Sequence, residues 1–157
     1  LEVVTRGLSD FYGIPYTIVR PSAVYGPTDM NRRVSQIFIE KALNKQKIKV
    51  HGKDEKLDFT YIKDIAHGAI LATIKKEGIG EDFNITHGRA HTLLDYVECL
   101  KYHFPDLDYE ILPRDSFRPK RGTLSIEKAS KLLGYEPQYS LKEGVNDYVE
   151  FINKHWT

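Results

Sequence analysis

Between Pro113 and Gly122 the chain reads PRDSFRPKRG, in which Arg114, Arg118, Lys120 and Arg121 stand against a single acid, Asp115. Four cations in a ten-residue loop make a candidate grip for an anion such as a phosphate. Arg32 and Arg33 form a second cationic pair at the expected start of a helix, where positive charge opposes the helix dipole and so favours a functional reason. For both groups the bland alternative is solvated surface charge. His87 and His91 have a spacing found in metal sites, but the intervening GRA and the lack of other ligands nearby argue against zinc. No GxGxxG, GxxGxxG, GxxxxGK[ST] or YxxxK occurs, so the chain lacks a recognisable dinucleotide or phosphate loop of its own.

The elements that must position these groups follow from composition and periodicity. At 157 residues with 41% hydrophobic residues, the chain has the size and apolar content of one globular domain. Its 23 Lys plus Arg against 22 Asp plus Glu leave a net charge of +1, which gives no electrostatic reason to expect nucleic acid or an anionic membrane as partner. The single Cys99 cannot form an intrachain disulfide, and no apolar run approaches a bilayer span, so a cytoplasmic protein is the simplest expectation.

Leu1, Val4, Leu8 and Phe11 are in helical step from the first residue, as if the chain opened in mid-helix. That helix is expected to end near Tyr12, because Gly13 suits a left-handed cap and Pro15 cannot continue the turn. YTIVR, residues 16–20, reads as a strand closed by Pro21. Asp29 or Asn31 is expected to cap a second helix bearing Val34, Ile37, Phe38 and Ala42 on one face. IKV (48–50), LDFTYI (57–62), DFNI (82–85) and DYEIL (108–112) read as further strands. Helices are expected over 65–76 behind Asp64 as cap, over 93–104 behind a Thr92/Asp95 capping box, and over 126–133 behind Ser125. A closing helix follows a Ser140/Glu143 box, with Leu141, Val145, Tyr148, Ile152 and Trp156 inward. The alternation implies a layered α/β arrangement whose strands are too short for a full doubly wound sheet.

One turn is unusually punctuated. RPSAVYGPTD, Arg20 to Asp29, ends a strand with a proline and then turns through Tyr25, Gly26 and Pro27, at the carboxyl end where open α/β sheets bind ligands. Read with its flanks, GIPYTIVRPSAVYGPTD, KVHGKDEKLDFTYIKDIAHGAILA, FNITHG and KASKLLGYEP resemble, in order and spacing, successive motifs of the extended short-chain dehydrogenases. Within that family the chain is similar to NAD-dependent nucleotide-sugar epimerases and dehydratases such as the UDP-glucose 4-epimerases, over essentially its whole length.

The resemblance implies a fold made of the C-terminal part of a Rossmann-type NAD(P)-binding fold plus a small α/β substrate-binding subdomain. Residues 1–29 would be the Rossmann-type remnant, and 30–157 mainly the substrate subdomain, with some segments packing back on the sheet. It also implies that the glycine-rich NAD loop and the catalytic Ser or Thr, Tyr and Lys belong to a preceding half, so no catalytic residue is expected in this chain. NAD would be bound mainly by that half, with Pro21, Ser22, Ala23 and Val24 meeting it from this side, chiefly through backbone. Substrate contacts would come from Ala23, Asn31, Arg32, Arg33, Val34, Val50, His51, Arg118 and Arg121. His51 falls where relatives place an aromatic residue near the base, though it could equally be an exposed turn residue.

Two positions depart from the pattern: Ala23 replaces a phosphate-touching asparagine, and Leu57 replaces the arginine of an RDF motif. The cations for a diphosphate must then come from elsewhere. The favoured reading is the substrate-binding portion of an epimerase or dehydratase, with a nucleoside-diphosphate sugar as partner and a homodimer contact through the first helix. The alternative is a non-catalytic nucleotide-sugar or regulatory binding protein on the same fold.

Overall fold

The computed structural model describes residues 1–117 and 119–155, so the expected inward Trp156 lies outside the described residues. Helix α1, Glu2–Tyr12, ends at Gly13 in the left-handed conformation, whose N–H donates to Ser9 O at 2.8 Å. Strands β1, Ile18–Pro21, and β2, Val24–Tyr25, precede α2, Val34–Leu43. Then come β3, Ile48–His51; β4, Lys56–Leu57; β5, Thr60–Tyr61; α3, Ile62–Ile74; and a 3-10 turn at Lys76–Gly78. The remainder is β6, Asp82–Ile85; β7, His91–Thr92; α4, Leu93–Lys101; β8, Tyr109–Leu112; α5, Glu127–Leu133; and α6, Leu141–His155.

The described strands pair two by two. β1 runs parallel to β6, β2 to β5 and β3 to β8, while β4 is antiparallel to β7. Each parallel pair is joined through helices, as a parallel ladder requires.

Several local expectations are corrected by where side chains find partners. The single strand over 57–62 is broken, because buried Asp58 turns inward and accepts the Leu124 N–H at 3.1 Å, and Ile62 already belongs to α3. Asp64 does not cap that helix, which starts two residues earlier behind Tyr61. It is buried instead, accepting the N–H groups of Gln138 and Tyr139. Neither Asp29 nor Asn31 caps α2: Asp29 Oδ1 closes a local turn on the Asn31 N–H at 3.1 Å, and Arg33 occupies the cap position without a side-chain bond. Helix α4 stops at Lys101, short of Phe104, which nonetheless packs half-buried against the apolar core, and Tyr96 of the helix is fully buried beside the expected stripe. The Thr92/Asp95 box is present, and Ser140 with Glu143 forms its counterpart before α6.

Two apolar clusters result. The larger joins Phe38 and Ile39 of α2, Ile48 and Val50 of β3, and Val97 and Leu100 of α4 with the inward face of α6. Tyr25 lies inside it, with ring centroids 5.5 Å from Tyr61 and 5.7 Å from Tyr96. Gly26 permits this, since with φ +148° a Cβ there would fall within the Ile62 side chain. The smaller cluster packs Ala72, Phe83, Ile85, Ala129, Leu133 and Tyr135 between α3, β6 and α5. Full burial of each large side chain is worth roughly 1.5–3 kcal/mol, so these clusters are the main source of stability.

Helix α1 differs, for it buries no residue and leaves Val4, Leu8 and Phe11 exposed. Charges hold it to the sheet: Arg20 pairs with Glu2 and with Asp82, each at 2.6 Å, and Arg6 pairs with Asp82 at 2.8 Å.

Candidate functional site

Strands β3 and β8 end side by side, with His51 opposite Leu112. The chain leaves β3 through Gly52 and leaves β8 through Pro113, and these two exits wall a cleft of about 580 Å³. Lys53 and Lys56 line one wall and Arg114, Lys120 and Arg121 the other, against the acids Asp54 and Glu55. Five cations against two carboxylates over so small a volume favour a bound anion.

The loop over this cleft is fixed at both ends. Near its start, Arg114 Nε donates to Glu55 across the cleft. Near its end, Thr123 Oγ1 accepts the Ala90 N–H at 3.0 Å, Asp58 accepts the Leu124 N–H, and Ser125 O accepts from Asn84 at 2.9 Å. Asp58 is therefore a loop anchor.

A second concentration of features lies between β1 and α2. Among the described residues, Ala23 (φ 36°), Thr28 (φ 67°), Arg32 (φ 51°) and Lys45 are the non-glycine positions with left-handed backbone. Three of those four fall within ten residues, and such conformations persist where surrounding bonds over-determine them, commonly at binding sites. Here Ala23 O accepts the Thr60 N–H at 3.3 Å, and the Arg32 N–H donates to buried Gln36 at 2.7 Å.

Of the residues nominated from sequence, Arg121 lines the basic cleft and His51 stands exposed at its edge, next to Gly52. Val50 is buried in the core, which leaves only its backbone for a ligand. Pro21 is exposed, while Ser22, Ala23 and Val24 are half-buried at the carboxyl end of β1. Asn31, Arg32 and Arg33 are exposed immediately before α2 rather than in its first turn, and Val34 packs against the core. None of these four lines the cleft. Arg118 lies outside the described residues. The sequence places Arg114 among the loop cations but gives no sign of Glu55 as its partner; that signal, opposite charges at two strand exits, becomes readable only once β3 and β8 are known to be neighbours.

The rings of His87 and His91 stand 5.9 Å apart, and burial followed by the nearby His87 pushes the His91 pKa down. Among the described residues no group of three or more His, Cys, Asp or Glu side chains could hold a metal ion. Nor is any described helix long and apolar enough to cross a membrane.

Parallel strand pairs joined through helices give the chain a Rossmann-type α/β architecture. Residues 1–86 match the NAD dependent epimerase/dehydratase family, and the chain belongs to it. An uncharacterized protein of Methanocaldococcus jannaschii is 30% identical over 99% of this chain, which covers 48% of that protein. The UDP-glucose 4-epimerase of Thermotoga maritima, solved with UDP-glucose, superposes with a TM-score of 0.87 at 31% identity, covering 99% of this chain and 52% of that one. The UDP-glucuronic acid 4-epimerase of Bacillus cereus, solved with UDP-glucuronic acid and NAD, gives 0.88 at 28% identity, covering 98% and 50%. The chain thus spans about half the length of the relatives it matches.

NAD is the cofactor of the family. The residues present would fit one edge of such a group: Pro21, at the carboxyl end of β1, is exposed, and the Ser22–Val24 segment that follows is half-buried. They supply no phosphate cradle.

Proposed function

We propose that this chain is the substrate-binding portion of an NAD-dependent nucleotide-sugar epimerase or dehydratase, and that it holds a nucleoside-diphosphate sugar for hydride transfer to and from NAD. The observation that carries this reading is the basic cleft at the paired exits of β3 and β8, in a chain whose structural relatives were solved with UDP-sugars. When bound, NAD would supply the hydride acceptor for a sugar carbon. This chain would orient the sugar by anchoring its nucleotide: Arg121 and the strained turn carrying Asn31, Arg32 and Arg33 would meet the diphosphate, and His51 would stack near the base. With no YxxxK and no glycine-rich loop, the chain alone would bind without catalysing. Residues 1–29 would belong to the cofactor side, and the exposed apolar face of α1 would pack on a second copy.

Calorimetric titration with UDP-, GDP- and dTDP-sugars, with NAD as control, tests this. Heat from one nucleotide sugar and none from NAD is expected, and heat from none of them rejects the reading.

A further inference from the structure

The segment that ends the basic loop rests on a turn carrying two histidines. Between β6 and β7 the chain runs through Thr86, His87, Gly88, Arg89 and Ala90, and residues 123–126 are seated on or beside it. Thr123 Oγ1 accepts the Ala90 N–H, Leu124 donates its N–H to Asp58, and Ser125 O accepts from Asn84. Ile126 closes over Gly88, whose φ of +75° and missing side chain leave the room: a Cβ there would stand 3.0 Å from two Ile126 carbons. The turn is pinned in its own right, since the His87 N–H donates to the buried Thr60 Oγ1 at 3.0 Å and His91 faces Leu57 across the β4–β7 ladder.

Both imidazoles belong to this seat, and neither is well placed to carry charge. The His91 side chain is 21% exposed, with the His87 ring as its aromatic neighbour. His87 Nδ1 is shielded from water and meets no hydrogen-bond partner among the described residues, and the same holds for Asp58 Oδ1. Asp95 Oδ2 stands 3.8 Å from His91 Nδ1, beyond hydrogen-bond reach, and already accepts the Thr92 N–H. The charged groups around His91 are His87 and Arg89 on the same turn, Asp95 on α4, and Asp58 between β4 and β5. Burial, then His87, outweighs the attraction of Asp95 and Asp58, so the seated arrangement prefers His91 neutral. An opened turn, with the ring in water, takes up the proton more readily. A histidine depressed in this way weakens the closed arrangement as pH falls below its unfolded value of about 6.5.

We propose that the His87–His91 pair is a pH-sensitive clasp on the basic loop: residues 123–126 stay seated while both rings are neutral and are released when the pair takes up a proton. The clasp stands on the fold alone and goes beyond the function proposed above. Its consequence is a cleft wall that loosens in mild acid, with or without a ligand.

The test is amide hydrogen exchange at about pH 7.5 and about pH 5.5, either side of the ordinary histidine pKa, corrected for the intrinsic pH dependence of exchange. It compares the full 157-residue chain with the variant His87→Gln/His91→Gln, whose side chains are polar and do not titrate. The Ala90 and Leu124 amides, both bonded within the seat, are the reporters, and Tyr148 and Val149 in the buried face of α6 are the controls. In the parent, protection of the reporters is expected to fall several-fold on acidification while the controls hold. In the double variant the reporters are expected to keep one level of protection at both pH values. Parent reporters that ignore pH overturn the clasp, as do reporters that respond to pH in the variant as they do in the parent. Where the substitutions themselves open the turn, the reporters are unprotected at both pH values, and an NMR titration of the parent histidines decides. A His91 pKa below its ordinary value supports the clasp, and one at or above it overturns it.

Discussion

Asp64, in the first turn of α3, accepts the backbone N–H groups of Gln138 and Tyr139 at 2.8 and 3.2 Å, across 74 and 75 residues of sequence. Its carboxylate is 1% exposed, so both bonds are shielded from water and join the segment before α6 to the middle of the fold. Asp64→Ala leaves two backbone donors without this acceptor. The expected cost is about 2–4 kcal/mol, at the upper end for hydrogen bonds to a charged group, read as a fall in the denaturant midpoint at unchanged m-value.

Because α1 buries nothing, Asp82 governs its attachment. The Arg6 hydrogen bond, reinforced by Lys128 and Arg20, holds the Asp82 carboxyl below its ordinary pKa of 3.8. A depressed carboxylate contributes stability that is present above its unfolded pKa and lost as pH falls through the folded one. The protection of α1 amides against hydrogen exchange is therefore expected to be intact at neutral pH and to fail below about pH 4. Asp82→Asn is expected to loosen α1 at neutral pH with little change in global unfolding. Exchange in α1 that is insensitive to both changes contradicts the charge-held account.

Period and capping made the helices legible. Leu93, Val97 and Leu100 recur at helical spacing behind Thr92 and Asp95, and the box forms as written. The acids were harder to read, because Asp58 and Asp64 find their partners 66 and 74 residues away, and no local pattern distinguishes a buried tether from a cap. The candidate site was half legible for the same reason. The punctuated turn after β1 and the basic loop announce themselves by composition, but the pairing of β3 with β8, which brings Gly52, Glu55 and Arg114 together, is a long-range fact.

Tyr61 at the end of β5 donates its hydroxyl to Asp147 on α6, and Lys63 donates to the same carboxylate oxygen at 2.6 Å. The two donors, Lys63 first, lower the Asp147 pKa, while burial, then Asp147 itself, raises that of Tyr61. Tyr61→Phe keeps the ring packing against Tyr25 and Tyr139 and removes only the hydroxyl bond. A loss of about 1 kcal/mol is expected, since Asp147 is partly exposed and keeps Lys63. Asp147→Ala, which strands the hydroxyl and the ammonium together, is expected to cost more, and equal losses in chemical denaturation count against the latch.

Arg121 tests whether the remaining cleft cations act as a field or as ligands. It is exposed, and as a member of a screened cluster with Lys53, Lys56 and Lys120 its contribution depends on ionic strength. Nucleotide-sugar affinity is expected to fall as salt rises from 0.05 to about 0.5 M, where the screening length shrinks to a few ångströms. Arg121→Ala is expected to lower affinity several-fold at low salt and to flatten that salt dependence, whereas Arg114→Gln, removing a fixed and partly shielded contact, lowers affinity at every salt concentration. If the two variants respond identically to salt, the cleft works as a diffuse basic patch.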